Sequence, residues 1–190
     1  NGIDVYGVYP STVTANASSQ NFEVNDNQSI EDDYMASDLM FTDTQVSDHK
    51  KTAGDVSLVF KHKLSKVIVK LQIGSGLNAS DIDGAKVKIT NTIRQCTIAS
   101  VGKSGMGSVD VSTSDAASSI TVGTWNSSTT PNGIAAIVVP QVVTANSQLF
   151  EVQLTNNAVY KYIIPSTGNV TFSPEKVYTY TLTLTTAGIN

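Results

Sequence analysis

The sequence predicts an all-β protein, and three observations carry that prediction. Only 15% of the 190 residues are charged, while Ser, Thr, Val, Gly and Asn are abundant. β-Branched side chains suit a pleated surface, and small polar residues supply turns and solvated faces. Runs of alternating apolar and polar residues recur along the chain, divided by Asn-, Gly- and Pro-bearing turns. No segment holds helical periodicity over about 11 residues.

The best-patterned segment is residues 56–73. Val56, Leu58, Phe60, His62 and Leu64 fall on one face, with Ser57, Lys61, Lys63 and Ser65 between them. Past Ser65 the phase changes, and Val67, Val69, Leu71 and Ile73 become the apolar set, opposed by Lys66, Lys70 and Gln72. An even-to-odd switch needs an extra residue, so a β-bulge or sharp bend is expected near Ser65 and Lys66. A run of about 18 residues is long against a typical ~5–6. It is therefore a bent strand serving two surfaces or two successive strands. Either way it is the spine of a β-sandwich, with Phe60 and His62 expected to face inward.

The other elements follow in order. Ile3, Val5, Gly7 and Tyr9 alternate up to Pro10, and residues 11–20 are polar and turn-like. Phe22 and Val24 make a brief strand ending in the Asn25, Asp26, Asn27 turn signal. Glu31, Asp32 and Asp33 read as a solvated acidic face, and residues 37–41 as a strand or a helical turn. Residues 43–55 form a surface loop and 74–84 another, with strands at Val87 and Ile89 and over 93–101. Residues 102–108 and the Ser-rich 112–119 have flexible composition, and any domain boundary falls there. Such a boundary gives an amino-terminal domain over 1–105 and a carboxyl-terminal one over 106–190. Strands follow at 120–122, 133–140, 149–154, 159–164 and 177–185. The last sets Val177, Thr179, Thr181 and Thr183 against Tyr178, Tyr180, Leu182 and Leu184, without a charge. It is the final core strand or, because an uncharged edge is a template for association, an assembly strand carried by Val177, Tyr178, Tyr180, Leu182 and Leu184.

Several function classes fall away. At net charge −4 no basic stripe is present to displace phosphate counterions, so nucleic acid is not an expected partner. Cys96 is the only cysteine and reads as a small buried hydrophobe. No apolar run approaches the ~20 residues of a membrane span. His49 and His62 have no Cys or Glu at a ligand spacing. Asp81 and Asp83 resemble half a calcium loop without its later acidic ligand, so a plain turn is expected. No nucleophile elbow has Asp and His partners in order. No enzyme activity, cofactor or metal is expected. The alternative is a carbohydrate-binding sandwich, with Trp125 as its first platform residue.

The order of features resembles the fimbrillin-like proteins of Bacteroidales, the type V pilins and their Mfa-like cell-surface relatives. A Tyr-x-x-Tyr-Pro strand (Tyr6 to Pro10) precedes a Ser-Asp-Leu-Met segment (Ser37 to Met40). Then come Phe60-Lys-His62-Lys-Leu64-Ser65-Lys66-Val67, a Val-Pro-Gln element (Val139 to Gln141) and a terminal Tyr178-Thr-Tyr180-Thr-Leu182. The Phe-x-His-x-Leu-Ser-Lys segment is the most specific of these. The resemblance implies two small transthyretin-like, immunoglobulin-like β-sandwich domains, the first with strands that precede Asn1. It also implies a lipoprotein signal on the precursor and export to the outer membrane and cell surface. The implied partners are other pilin subunits and host or bacterial surface ligands, with membrane contact only through the precursor's lipid. Pilin relatives polymerise when a neighbour's strand fills a groove, so the implied role is a structural and adhesive fimbrial component.

Overall fold

A computed structural model of the chain describes residues 2–14, 18–42, 46–99, 109–111 and 115–189. It contains β1 (Ile3–Val5), β2 (Val8–Tyr9), β3 (Ser19–Glu23), α1 (Glu31–Ala36), β4 (Met40–Thr42), β5 (Val46–His49), β6 (Phe60–His62), β7 (Ser65–Ile73), α2 (Ala79–Ile82) and β8 (Lys86–Thr92). The chain continues with β9 (Gln95–Ala99), β10 (Val109–Val111), β11 (Ser118–Thr124), β12 (Ile134–Val138), β13 (Gln141–Val143), β14 (Gln148–Gln153), β15 (Val159–Ile163), β16 (Val170–Phe172), β17 (Val177–Thr185) and β18 (Gly188–Ile189). The protein is all-β, as its composition and alternation predict.

Two four-stranded sheets, ordered β11-β8-β14-β15 and β12-β7-β17-β18, make the sandwich. Val87, Ile89, Ile120, Val122, Phe150 and Val152 of the first sheet are buried, as are Val67, Val69, Leu71, Ala136, Val138, Leu182 and Leu184 of the second. Phe150 of β14 meets Tyr180 of β17 edge-on, with ring centroids 4.9 Å apart. Buried apolar residues form one cluster that runs from Val13 to Leu184. β7 is central: β12 pairs with it antiparallel and β17 parallel. Smaller sheets β2-β4-β6, β10-β9-β3, β13-β16 and β1-β5 surround the sandwich.

The expected boundary at residue 105, like the flexible composition of 102–108, lies outside the described residues. Strands on either side of it pair with each other. β8 joins β11 and β14, and β7 joins β12 and β17.

The spine is two successive strands. The second half behaves as its alternation predicts, with Ser65, Val67, Val69 and Leu71 buried. The first half does not. Residues 56–59 have no regular structure, and in β6 Phe60 is 42% exposed and His62 is exposed. The inward assignment of Phe60 and His62 is therefore reversed. β6 is the outer strand of a small sheet whose covered residues are Phe41 and Thr42 of β4. Alternation says that two faces differ, but not which one is covered.

The ambiguous 37–41 stretch becomes strand from Met40, and the acidic run before it forms the first turn of α1. Carboxylates there face the positive end of the helix. One flank of the sandwich, between β11 and β12, is closed by the turn at 25–29. Thr121 N–H donates to Asp26 O at 2.7 Å, and Gln28 N–H donates to Thr121 O at 2.9 Å. The buried Gln28 side chain then reaches across to β12.

Candidate assembly site

Among the described residues the opposite flank is open. There β15 and β17 are the outer long strands of the two sheets, and β17 has a neighbour on one side along most of its length. Lys66 N–H donates to Lys176 O at 2.9 Å, and Gly74 N–H donates to Leu184 O at 2.7 Å. Even-numbered carbonyls of β17 thus turn toward β7. By the two-residue alternation of a strand, the N–H and C=O groups of Val177, Thr179, Thr181 and Thr183 face the open side. Among the described residues, only the last two β17 positions have a partner there: Leu184 pairs with Ile189 and Thr185 with Gly188.

Inward of this edge lies a row of half-buried aromatics: Tyr178 and Tyr180 from β17, Tyr160 and Tyr162 from β15. The Phe150 ring lies 4.9 Å from Tyr180 and 6.1 Å from Tyr162. Tyr178 packs on Phe172 at 5.4 Å, and its hydroxyl accepts a 2.9 Å hydrogen bond from Ser173 N–H. Burial, and secondarily the neighbouring Tyr162 and Tyr178, push the Tyr180 phenol up. Farther along, Leu182 and Leu184 are buried. That is the end where β18 lies on β17 and also approaches β15.

The two outer strands differ in charge. Lys161 sits in the middle of β15, whereas β17 carries none from Val177 to Thr185. Lysine on an edge deters unwanted pairing, and an uncharged alternating edge invites it. Of the five residues expected to form an assembly strand, Tyr178, Tyr180, Leu182 and Leu184 point into the sandwich. Val177 lies on the outer face, 63% exposed. All five belong to a strand already seated against β7.

At the head of β17 a cleft of about 270 Å³ is lined by residues including Tyr34, Asp38, His62, Lys66 and Glu175. Asp38, His62, Lys66 and Glu175 each have a partner. His62 Nδ1 is 2.8 Å from Asp38 Oδ1, Glu175 takes Lys63 at 3.2 Å, and Lys66 Nζ sits 5.9 Å from the Tyr34 ring centre. His62 is thus an exposed edge residue with a carboxylate partner.

Trp125 does not fit the carbohydrate-platform expectation. It is 4% exposed, and a buried indole offers no face for a sugar to stack on. Its Nε1 has no hydrogen-bond partner among the described atoms. Asp81 Oδ2 accepts from Asn78 N–H at 2.7 Å, and Asp83 accepts from the Ser127 amide and hydroxyl at 2.7 and 3.0 Å. These contacts make turn-stabilising caps of both carboxylates. Cys96 is fully buried, and burial, with Asp110 adding to it, pushes its thiol up to about 12. Among the described residues no three His, Cys, Asp or Glu side chains cluster as a metal site requires. None of their helices is long and apolar enough to cross a membrane.

The sequence predicts β17 but not its setting. The convergence of Tyr160 and Tyr162 with Tyr178 and Tyr180 depends on pairings distant in sequence. So does the role of Gln28 on the closed flank.

A family model described as fimbrillin-like matches residues 1–190. A solved structure of a proposed cell adhesion protein from Bacteroides uniformis is similar at 24% identity and a TM-score of 0.74, covering 98% of this chain and 69% of that one. A proposed cell adhesion protein from Bacteroides ovatus is similar at 16% identity and a TM-score of 0.63, covering 98% of this chain and 64% of that one. A third, from Bacteroides thetaiotaomicron, gives 15% and 0.61, covering 95% and 65%. These likenesses are likenesses of fold, and the chain spans about two thirds of the length of each structure. No curated protein matches the sequence.

Proposed function

The chain belongs to the fimbrillin-like family, and from that membership we propose that it is a structural and adhesive cell-surface protein. In this reading it is a subunit or accessory component of a fimbria and has no catalytic role. Its partners are other pilin subunits, together with ligands on host or bacterial surfaces. Its precursor is lipid-anchored at the outer membrane, and its neighbours join it by strand complementation. The observation that carries the reading is the uncharged edge of β17, which among the described residues is unpaired over 177–183 and lies over half-buried tyrosines. An added strand satisfies the free backbone groups at 177–183 and covers those rings, two gains from one contact. The edge acts here as an acceptor, because β17 already contributes Leu182 and Leu184 to its own core. Carbohydrate binding through Trp125 loses its support with the burial of that side chain.

Thr181→Pro tests the proposal. The Thr181 N–H faces the open side, where proline costs the sheet no bond of its own. The variant is expected to keep the native circular dichroism spectrum while disappearing from surface fibres viewed by electron microscopy. Fibres at the normal level, built from folded variant, would overturn strand addition at this edge.

A further inference from the structure

The outer face of the first sheet carries a second site, and we propose that it binds an acidic carbohydrate, a glycan built from uronic acid sugars. The inference rests on the adhesive part of the reading above and names a ligand class for it. It does not depend on the edge of β17.

Val87 and Ile89 of β8 are buried, so Lys86 and Lys88 stand side by side on the opposite face, about 7 Å apart along the strand. Register sets Lys88 beside Thr121 of β11 and Glu151 of β14, and Lys86 beside Thr124 and Gln153. Glu151 accepts from Gln148 Nε2 at 3.4 Å. Among the described residues neither Lys86 nor Lys88 has an ion-pair or hydrogen-bond partner. Two like charges held on one strand repel, and an anion between them answers both.

The lysine pair borders a depression of about 510 Å³ whose walls include the hydroxyls of Ser119, Thr121 and Thr124 and the Gln153 amide. A neighbouring depression of about 480 Å³ shares Ser29, Gly123 and Thr124 with it and brings in Lys66 and Glu31. The two form one trough. Beyond its chain neighbours, a Cβ added to Gly123 would meet nothing nearer than Ile134, at 3.8 Å on the wall of the second depression. The missing side chain therefore keeps the trough open where its halves join.

The donor set selects the ligand. Hydroxyls and an amide suit the hydroxyl groups of a sugar, and the lysine pair suits a carboxylate. Asp26 lines the first half and Glu31 the second, so the trough holds three lysines against two carboxylates. Those acids accept from sugar hydroxyls and repel an anion as densely charged as polyphosphate. A neutral glycan leaves the lysine pair unanswered, and a single small ion leaves most of the trough empty. One carboxylate per hydroxyl-bearing ring matches both the charge and the extent.

The test measures binding of tetragalacturonate to the 190-residue chain by isothermal titration calorimetry. Its comparators are the methyl ester, which keeps the hydroxyls and removes the charge, inorganic sulfate and tetraphosphate. Tetragalacturonate is expected to bind at least about tenfold more tightly than each of the three. Lys86→Gln and Lys88→Gln are each expected to weaken it about tenfold. Lys70→Gln, on the outer face of the second sheet, is expected to leave it unchanged. All three variants are expected to keep the native melting temperature. Absence of tetragalacturonate binding, equal affinity for any comparator, or undiminished affinity in both Lys86→Gln and Lys88→Gln would overturn the acidic-sugar site. Thr181→Pro is expected to bind tetragalacturonate as the unmodified chain does. Normal surface fibres without sugar binding would remove this ligand and leave strand addition standing, whereas sugar binding without fibres would support the site and remove strand addition alone.

Discussion

Gln28 holds the main chain of Ile137 at both of its polar groups. Ile137 N–H donates to Gln28 Oε1 at 2.7 Å, and Gln28 Nε2 donates to Ile137 O at 2.9 Å. One amide side chain thus replaces a neighbouring strand on the outer edge of β12. Gln141, from the Val-Pro-Gln element, does the same for Ile93, with bonds of 2.8 Å to both its N–H and its C=O. Replacing Gln28 with Leu keeps the volume and orphans two buried backbone groups, each worth about 1–3 kcal/mol. Gln28→Leu is expected to lower stability by about 2–4 kcal/mol in urea denaturation, whereas Ser119→Ala, on the exposed face of β11, changes it by under about 0.5 kcal/mol. Equal midpoints for the two would refute the clamp.

What was legible in the sequence is what depends on neighbours in the chain. β7 announced itself because Lys66 and Lys70 alternate with Val67, Val69 and Leu71, and these three valine and leucine side chains are buried. β17 did so for the same reason. β6 has equally good alternation, but its covered face depends on Met40 and Phe41, some twenty residues earlier in the chain. A lone glutamine in a polar turn resembles any other, so Gln28 left no signal. Trp125 suits a sugar platform, the alternative reading, as well as a core, because large aromatics serve both. Only the packing around it distinguishes the two.

The corrected face of the spine makes a second prediction. Phe60 is 42% exposed and Leu184 is fully buried. Leu184→Ala is expected to cost about 2–5 kcal/mol through cavity formation. Phe60→Ala is expected to cost under about 1 kcal/mol, typical of a surface position. The reverse ranking in chemical denaturation would restore Phe60 to the core. Gly7 offers a related check. A Cβ added there would strike the Phe60 ring, so Gly7→Val is expected to displace β6 from β4 without unfolding the sandwich.

Cys96 gives the alkaline limb of stability. Its thiol is raised from 9.0 to about 12 by burial. In the window between these values the unfolded chain loses the proton and the folded one keeps it, so stability falls as pH rises. The contribution is fully present below about 9 and is lost by about 12. The Tyr180 phenol, raised above 10.0, acts in the same direction. Cys96→Val is expected to flatten the decline above pH 9 without removing it, as measured by melting temperature against pH. The folded protein is also expected to resist iodoacetamide at pH 8 and to react on unfolding. Rapid alkylation under native conditions would show the thiol to be accessible.

The last prediction separates an acceptor strand from a donor strand at the carboxyl end. β17 is seated beside β7 over eight paired positions from Val177 to Leu184. It also supplies Leu182 and Leu184 to the core, and Tyr178 and Tyr180 to the rings around Phe150 and Phe172. Without it, β7 loses a neighbour and the facing sheet loses its cover at Phe150. Deletion of residues 177–190 is therefore expected to give a chain unfolded by circular dichroism. A strand that served only a neighbouring subunit would be dispensable to its own sandwich, since its absence would leave the donor's core as it was. If the truncated chain stayed folded and monomeric while failing to enter fibres, β17 would be the donated strand, and its parallel seat against β7 would be a resting position that assembly vacates.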